Sequence, residues 1–133
     1  MKYLLDTDTC SYIIKTPDLM RKRFEQVRAG DIAISSITWA KLNSWVMVSS
    51  KPEQRLMSLQ KMFAPIMILP FTAEDAAFHG SIRKDLRDQG KMIGALDLLI
   101  AAHALSRRLV VVTNNTEHFG RISQLKVENW LKT

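Results

Sequence analysis

Asp6 ends the first apolar run of the chain, Lys2-Tyr3-Leu4-Leu5-Asp6-Thr7-Asp8-Thr9, and Asp97 stands within the almost wholly apolar stretch Gly94-Ala95-Leu96-Asp97-Leu98-Leu99-Ile100-Ala101-Ala102. Burying a carboxylate is expensive unless a cation or hydrogen bonds hold its charge, so each acid needs a partner. An acid just past the end of a short buried strand sits where open parallel sheets place ligands, and one in the first turn of a core helix can face the same crevice. Together they suggest a divalent-metal site. Asn114 and Asn115, which follow Val111-Val112-Thr113, add neutral oxygens. That donor set suits Mg²⁺, with Mn²⁺ able to substitute, and the chemistry open to it is phosphodiester hydrolysis by activated water. No Cys or Ser nucleophile arrangement competes with it. Asp8 and Thr113 would orient ligands or the attacking water from behind. Each acid alone also has a purely structural reading. Asp97 is the third residue after a Gly94 cap, where backbone N–H groups can hold it; Asp8 can cap the following helix while Asp6 merely ends a strand.

The elements that must position these groups alternate short apolar runs with longer helical ones. Strands are expected at Lys2 to Leu5, Asp31 to Ser35, Ile66 to Leu69 and Leu109 to Thr113, with a last one at Leu125 to Glu128; they lack strict alternation, as strands buried on both faces do. Helices are expected at Asp8 to Lys15, Asp18 to Ala29, Ser36 to Val48, Pro52 to Phe63, Thr72 to Gln89 and Ala95 to Arg107. Pro52 fits the first helical position, and Thr72 with Asp75 makes an acidic capping box. The pattern is α/β, a central and mainly parallel sheet of four or five short strands flanked by helices and joined by right-handed crossovers.

The 133 residues read as a single domain spanning 1–133, and 47% apolar content argues against disorder. A formal charge of +6 favours polyanionic partners, and the cations are spread over several segments rather than gathered in a tail. The lone Cys10 excludes an internal disulfide and a cysteine-cluster metal site, in keeping with a reducing cytoplasm. The apolar N-terminal stretch is too short for a signal peptide or a membrane span.

Asp6-Thr7-Asp8-Thr9 also satisfies the DxDxT pattern of haloacid-dehalogenase-like phosphatases. That family needs a Lys and an acidic pair after its Thr motif; only residues 115 to 133 remain here, without such a pair, and Asp97 would be left unexplained.

Four blocks, Tyr3-Leu4-Leu5-Asp6-Thr7, Ile34-Ser35-Ser36-Ile37-Thr38, Ile93-Gly94-Ala95-Leu96-Asp97-Leu98-Leu99-Ile100-Ala101-Ala102-His103-Ala104 and Val112-Thr113-Asn114-Asn115-Thr116, together resemble the PIN-domain toxins of the VapC family from end to end. The resemblance implies a PIN-like fold, a homodimer, a Mg²⁺-dependent ribonuclease and a VapB-like antitoxin that occludes the site and alone mediates contact with operator DNA. It implies tRNA as substrate, often the initiator tRNA cut in its anticodon loop. Asp6 and Asp97 match two of the family's metal-binding acids, and Asn115 stands where many members carry another. One departure bears on activity: where the family usually reads Ala-Glu-Leu, this chain has Ala40-Lys41-Leu42. An ammonium there would partly replace the metal's charge or contact an RNA phosphate. The alternative implied by Lys41 is a weakened or silent PIN module that still binds antitoxin and RNA.

Three features read plainly. His79, His103 and His118 share no ligand spacing and are expected to be ordinary core or surface histidines. Arg83, Lys84 and Arg87 alternate with Asp85 and Asp88, which reads as a solvated, salt-bridged face more than an RNA track. Trp39, Trp45 and Met47 suggest core or dimer packing, or an antitoxin docking surface.

Overall fold

A computed structural model of the chain describes residues 1–131, the side chains of Leu19 and Met20 excepted. Five strands run parallel in the order β3-β2-β1-β4-β5, with β1 at Tyr3–Leu5, β2 at Ile32–Ser35, β3 at Met67–Leu69, β4 at Val110–Val112 and β5 at Val127–Glu128. Leu5 pairs with Ile34 on one side and Val112 on the other, so β1 and β4 end level and β2 runs one residue further.

Side-chain alternation splits the core in two. Leu4, Ala33 and Val111 face one layer, filled by the helices α5 (Ala73–Asp88) and α6 (Ala95–Arg107) and by Phe119, Ile122 and Leu125. Leu5, Ile34 and Val112 face the other, with Cys10 and Ile13 of α1 (Thr7–Lys15), Leu42 and Val46 of α3 (Ser36–Met47), Leu59 and Phe63 of α4 (Pro52–Phe63), and Trp130. Strands covered on both faces have no solvent side to mark with polar residues, which explains their weak alternation. The lone thiol of Cys10 is buried in the second layer.

Strong local signals set the helix ends. Pro52 opens α4, and the Thr72 hydroxyl and Asp75 carboxylate form the expected reciprocal capping box on α5. One expectation is corrected and one element is added. The helix from Asp18, α2, stops at Gln26; Val27 turns extended (φ −120°, ψ 141°) and a 3-10 turn at Ala29–Asp31 feeds β2. A four-residue helix, α7 (Thr116–Phe119), follows β4 and was too short to show a periodic pattern. No helix among the described residues is long and apolar enough to cross a membrane.

Candidate active site

From β1 the chain builds outward through β2 and β3, then returns beside β1 as β4 and continues to β5. The C-terminal ends of β1 and β4 therefore form a topological switch point, where open α/β sheets leave a crevice for ligands. Asp6 follows β1 directly and Thr113 follows β4 directly.

Asp6, rather than Asp8, caps α1. Its Oδ1 accepts from the Thr9 backbone N–H at 2.8 Å, and its Oδ2 accepts from Thr113 Oγ1 at 2.5 Å. The Asp6 N–H donates to the Val112 carbonyl at 3.0 Å, as does the Thr9 hydroxyl. Thr113 Oγ1 in turn accepts from the Asn115 N–H at 2.8 Å, so one chain of hydrogen bonds fixes the ends of both strands. Asp6 is 1% exposed. Burial lifts its pKa from 3.8 to about 6; the bonds from Thr113 and Thr9 oppose the rise and the charge of Asp8 adds to it. Hydrogen bonding alone does not compensate this carboxylate.

Asp97 occupies the third position of α6, after the Gly94 cap. The backbone rescue foreseen for it is absent: among the described residues no hydrogen bond reaches its carboxylate. Partial burial pushes its pKa up, His118 opposes this, and Asp8 reinforces it. From the first turn of α1, the charge of Asp8 adds to the rise at both Asp6 and Asp97. No three His, Cys, Asp or Glu side chains among the described residues stand close enough together to form a ready-made metal cage. Two carboxylates and a neutral oxygen nonetheless fit a hydrated hard ion, which keeps several waters, and a divalent cation would relieve the mutual repulsion of the acids.

Asn115 caps α7, and its amide nitrogen lies 2.6 Å from His118 Nδ1. Asn114 is turned aside, its Oδ1 accepting from Asn129 at 3.3 Å. Nothing in the spacing of His118 marks it; the short helix carries it to Asn115, and its charge acts on Asp97. Arg121 was equally silent in the sequence. It donates to the Lys91 and Met92 carbonyls at 3.4 and 3.1 Å and lies 3.7 Å from Glu117, tying the loop before Asp97 to α7.

Lys41 lies in α3, one turn after Thr38, whose hydroxyl bonds that of Thr7 at 3.1 Å beside Asp6. The helix therefore brings position 41 near the crevice. The Lys41 side chain is exposed, with its ammonium 5.9 Å from the centroid of the Trp45 ring. Beyond it an apolar groove between α1, α3 and α4 is lined by Ile14, Leu42, Trp45, Val46, Leu59 and Met62. Trp39 packs edge-on against Phe63 in the core. His79 is half-buried on α5, and His103 lies in the core with Nδ1 bonded to Ser35 Oγ at 2.9 Å while its buried Nε2 has no hydrogen-bond partner among the described residues.

Residues 3–125 match the PIN domain family. The chain is 39% identical over 132 residues to Ribonuclease VapC2 of Haemophilus influenzae, covering 98% of this chain and 99% of that protein. It is 38% identical over 131 residues to the tRNA(fMet)-specific endonuclease VapC of Shigella flexneri, covering 98% of each. Among solved structures it resembles VapBC2 from Rickettsia felis bound to a DNA fragment from their promoter, at a TM-score of 0.91 and 39% identity over 98% of this chain and 99% of that one.

Proposed function

This chain belongs to the PIN-domain family, within it to the VapC ribonucleases, and on that premise we propose that it is a Mg²⁺-dependent endoribonuclease, the toxin of a VapBC pair, acting on tRNA. The observation that supports this reading is Asp6, a carboxylate 1% exposed at the switch point and lifted to about 6 with hydroxyl and amide donors alone, together with Asp97, raised by burial at the start of α6 with no hydrogen bond to its carboxylate among the described residues. Carboxylates whose pKa is raised by burial at a ligand crevice are the kind of group a divalent cation would hold in the charged form.

Asp6 and Asp97 would hold the ion, with Asn115 as a further oxygen donor. When bound, the ion supplies water activation and offsets charge developing on the phosphate. Thr113 and Thr9 lock the Asp6 rotamer, so that carboxylate needs little reorganisation. His118 holds Asn115 and opposes the rise at Asp97, and Arg121 steadies the loop that delivers Asp97.

For the antitoxin, the groove lined by Ile14, Leu42 and Trp45 supplies an apolar docking surface that opens beside Lys41. A homodimer and a cytoplasmic location complete the reading. Lys41 favours a second one, a weakened module that retains antitoxin and RNA binding, because a cation replaces the family's Glu next to the crevice. A cleavage assay on initiator tRNA across a Mg²⁺ titration, with Asp97→Asn as the dead control, separates the two. Mg²⁺-dependent cleavage by the parent supports the nuclease; binding without cleavage supports the module.

A further inference from the structure

The helix α5 sorts its charges by flank. At about 100° per residue, Arg83 and Arg87 fall one turn apart on a flank shared with Gly80 and bordered by His79, while Glu74 and Asp85 lie on the opposite flank. Asp85 lines a small depression with Arg121, Ser123 and Gln124, so the acidic flank faces the segment after α7 and the basic flank faces away from it. His79, Gly80, Arg83, Lys84 and Arg87 line an open depression of their own. Lys84 is matched by Asp88 at 2.8 Å, and Arg87 comes only to 3.9 Å of the same residue. Arg83 has no acidic partner among the described residues. The salt-bridged face expected from the sequence is present at Lys84, Arg87 and Asp88, but one acid serves both cations there and Arg83 is left over. A Cβ at Gly80 would meet nothing within 4 Å, which leaves the helix surface open beside them.

The position of this flank relates it to the crevice. Arg107, at the end of α6, bonds Asp75 at the start of α5, so the two helices run antiparallel and the last turn of α5, with Arg87, lies beside the first turn of α6, with Asp97. We infer that Arg83 and Arg87 form a track for the RNA backbone that leads substrate phosphates toward the Asp97 end of the crevice. The inference rests on the ribonuclease reading above. Four residues of helix set the attachment points of the two side chains about 6 Å apart, a step that long side chains can match to successive phosphates of an extended strand, and guanidinium is the side-chain group best shaped for bidentate phosphate contact. Both side chains are exposed polar ends away from the core, so removing them leaves the fold intact.

The test measures binding of an initiator tRNA transcript in EDTA, which suppresses cleavage, to the parent and to Arg83→Ala/Arg87→Ala over a range of salt. A matched control, Lys22→Ala/Lys126→Ala, removes the same charge from exposed sites elsewhere. Loss of two single-strand phosphate contacts flattens the slope of log affinity against log salt by about 1.4, so raising salt from about 50 to 200 mM costs the double variant roughly sevenfold less affinity than the parent. That change in the arginine variant and not in the control supports the track. Equal slopes in parent and variant, or equal flattening in the control, overturn it while leaving the ribonuclease reading in place. Flattening on a duplex DNA of similar length but none on tRNA overturns it in favour of DNA. A parent that neither binds nor cleaves tRNA removes the ribonuclease reading and the track together.

Discussion

Two aspartates are buried at the same end of the sheet, and they are treated in opposite ways. Asp75, on α5 after the edge strand β3, is opposed by burial but held well below the usual carboxylate range by Arg107, whose Nε lies 2.9 Å from Oδ1, with further bonds from Thr72. Asp6, after the central strand β1, has only hydroxyl and amide donors and is lifted to about 6. The same residue type is thus a structural staple where a guanidinium is built in and, in the function proposed above, a ligand for a cation taken from solution where none is built in. His103 fits the first region, lying 3.5 Å from Asp75 and kept below its ordinary pKa chiefly by burial.

Substitutions should divide along that line. Asp97→Asn or Asp6→Asn is expected to lower tRNA cleavage by on the order of 10²–10³-fold in an assay at saturating Mg²⁺, with little loss of fold. At the staple, Arg107→Ala strands a buried carboxylate and should cost about 3 kcal/mol of stability in denaturant unfolding. A comparable stability loss from both substitutions would erase the contrast between the regions.

The pH dependence sharpens it further. Asp6 binds its proton more tightly folded than unfolded, so its contribution is favourable below its unfolded pKa of 3.8 and is lost as pH rises through about 6. The shift of about 2 units corresponds to about 3 kcal/mol. Asp75 has the reverse sign: its contribution is present above the ordinary carboxylate pKa and is lost as pH falls below it. Metal-free Asp6→Asn should therefore unfold at higher denaturant than the parent near pH 7, and the gap should close near pH 4. A constant gap would show that Asp6 is already charge-compensated.

Smaller in size is the effect at Lys41. Exchanging it for Glu changes the charge beside the crevice by two units, worth about 1 kcal/mol for a solvated group, or about fivefold tighter Mn²⁺ binding with a parallel gain in cleavage at limiting metal. Unchanged binding would place Lys41 outside the field of the metal site.

How much of this was legible depended on the range of each signal. Pro52, the Thr72–Asp75 box and the all-apolar Ala95–Arg107 segment act through neighbours in sequence, and those helices start where expected. Asp6 and Asp97 stood out because acids in apolar runs violate local expectation. The bond by which Asp6 caps α1 is local, to Thr9, but the one that holds its other oxygen comes from Thr113, over a hundred residues away, which no local pattern encodes. His118 and Arg121 were invisible for the same reason: each gains its meaning from a loop or acid delivered by another element. Asp75 looked like a cap and is one, but its larger role depends on Arg107 across the helix pair.

The central claim is that the switch-point acids await a cation that the staple already has. Calorimetric titration of Mn²⁺ into the parent, Asp97→Asn and Arg107→Ala at pH 6, in two buffers of different ionisation enthalpy, measures it most directly. Expected is binding to the parent with proton release, because Asp6 is partly protonated near its raised pKa; binding should be lost in Asp97→Asn and retained in folded Arg107→Ala. Binding that is absent in the parent, or unchanged in Asp97→Asn, would contradict it.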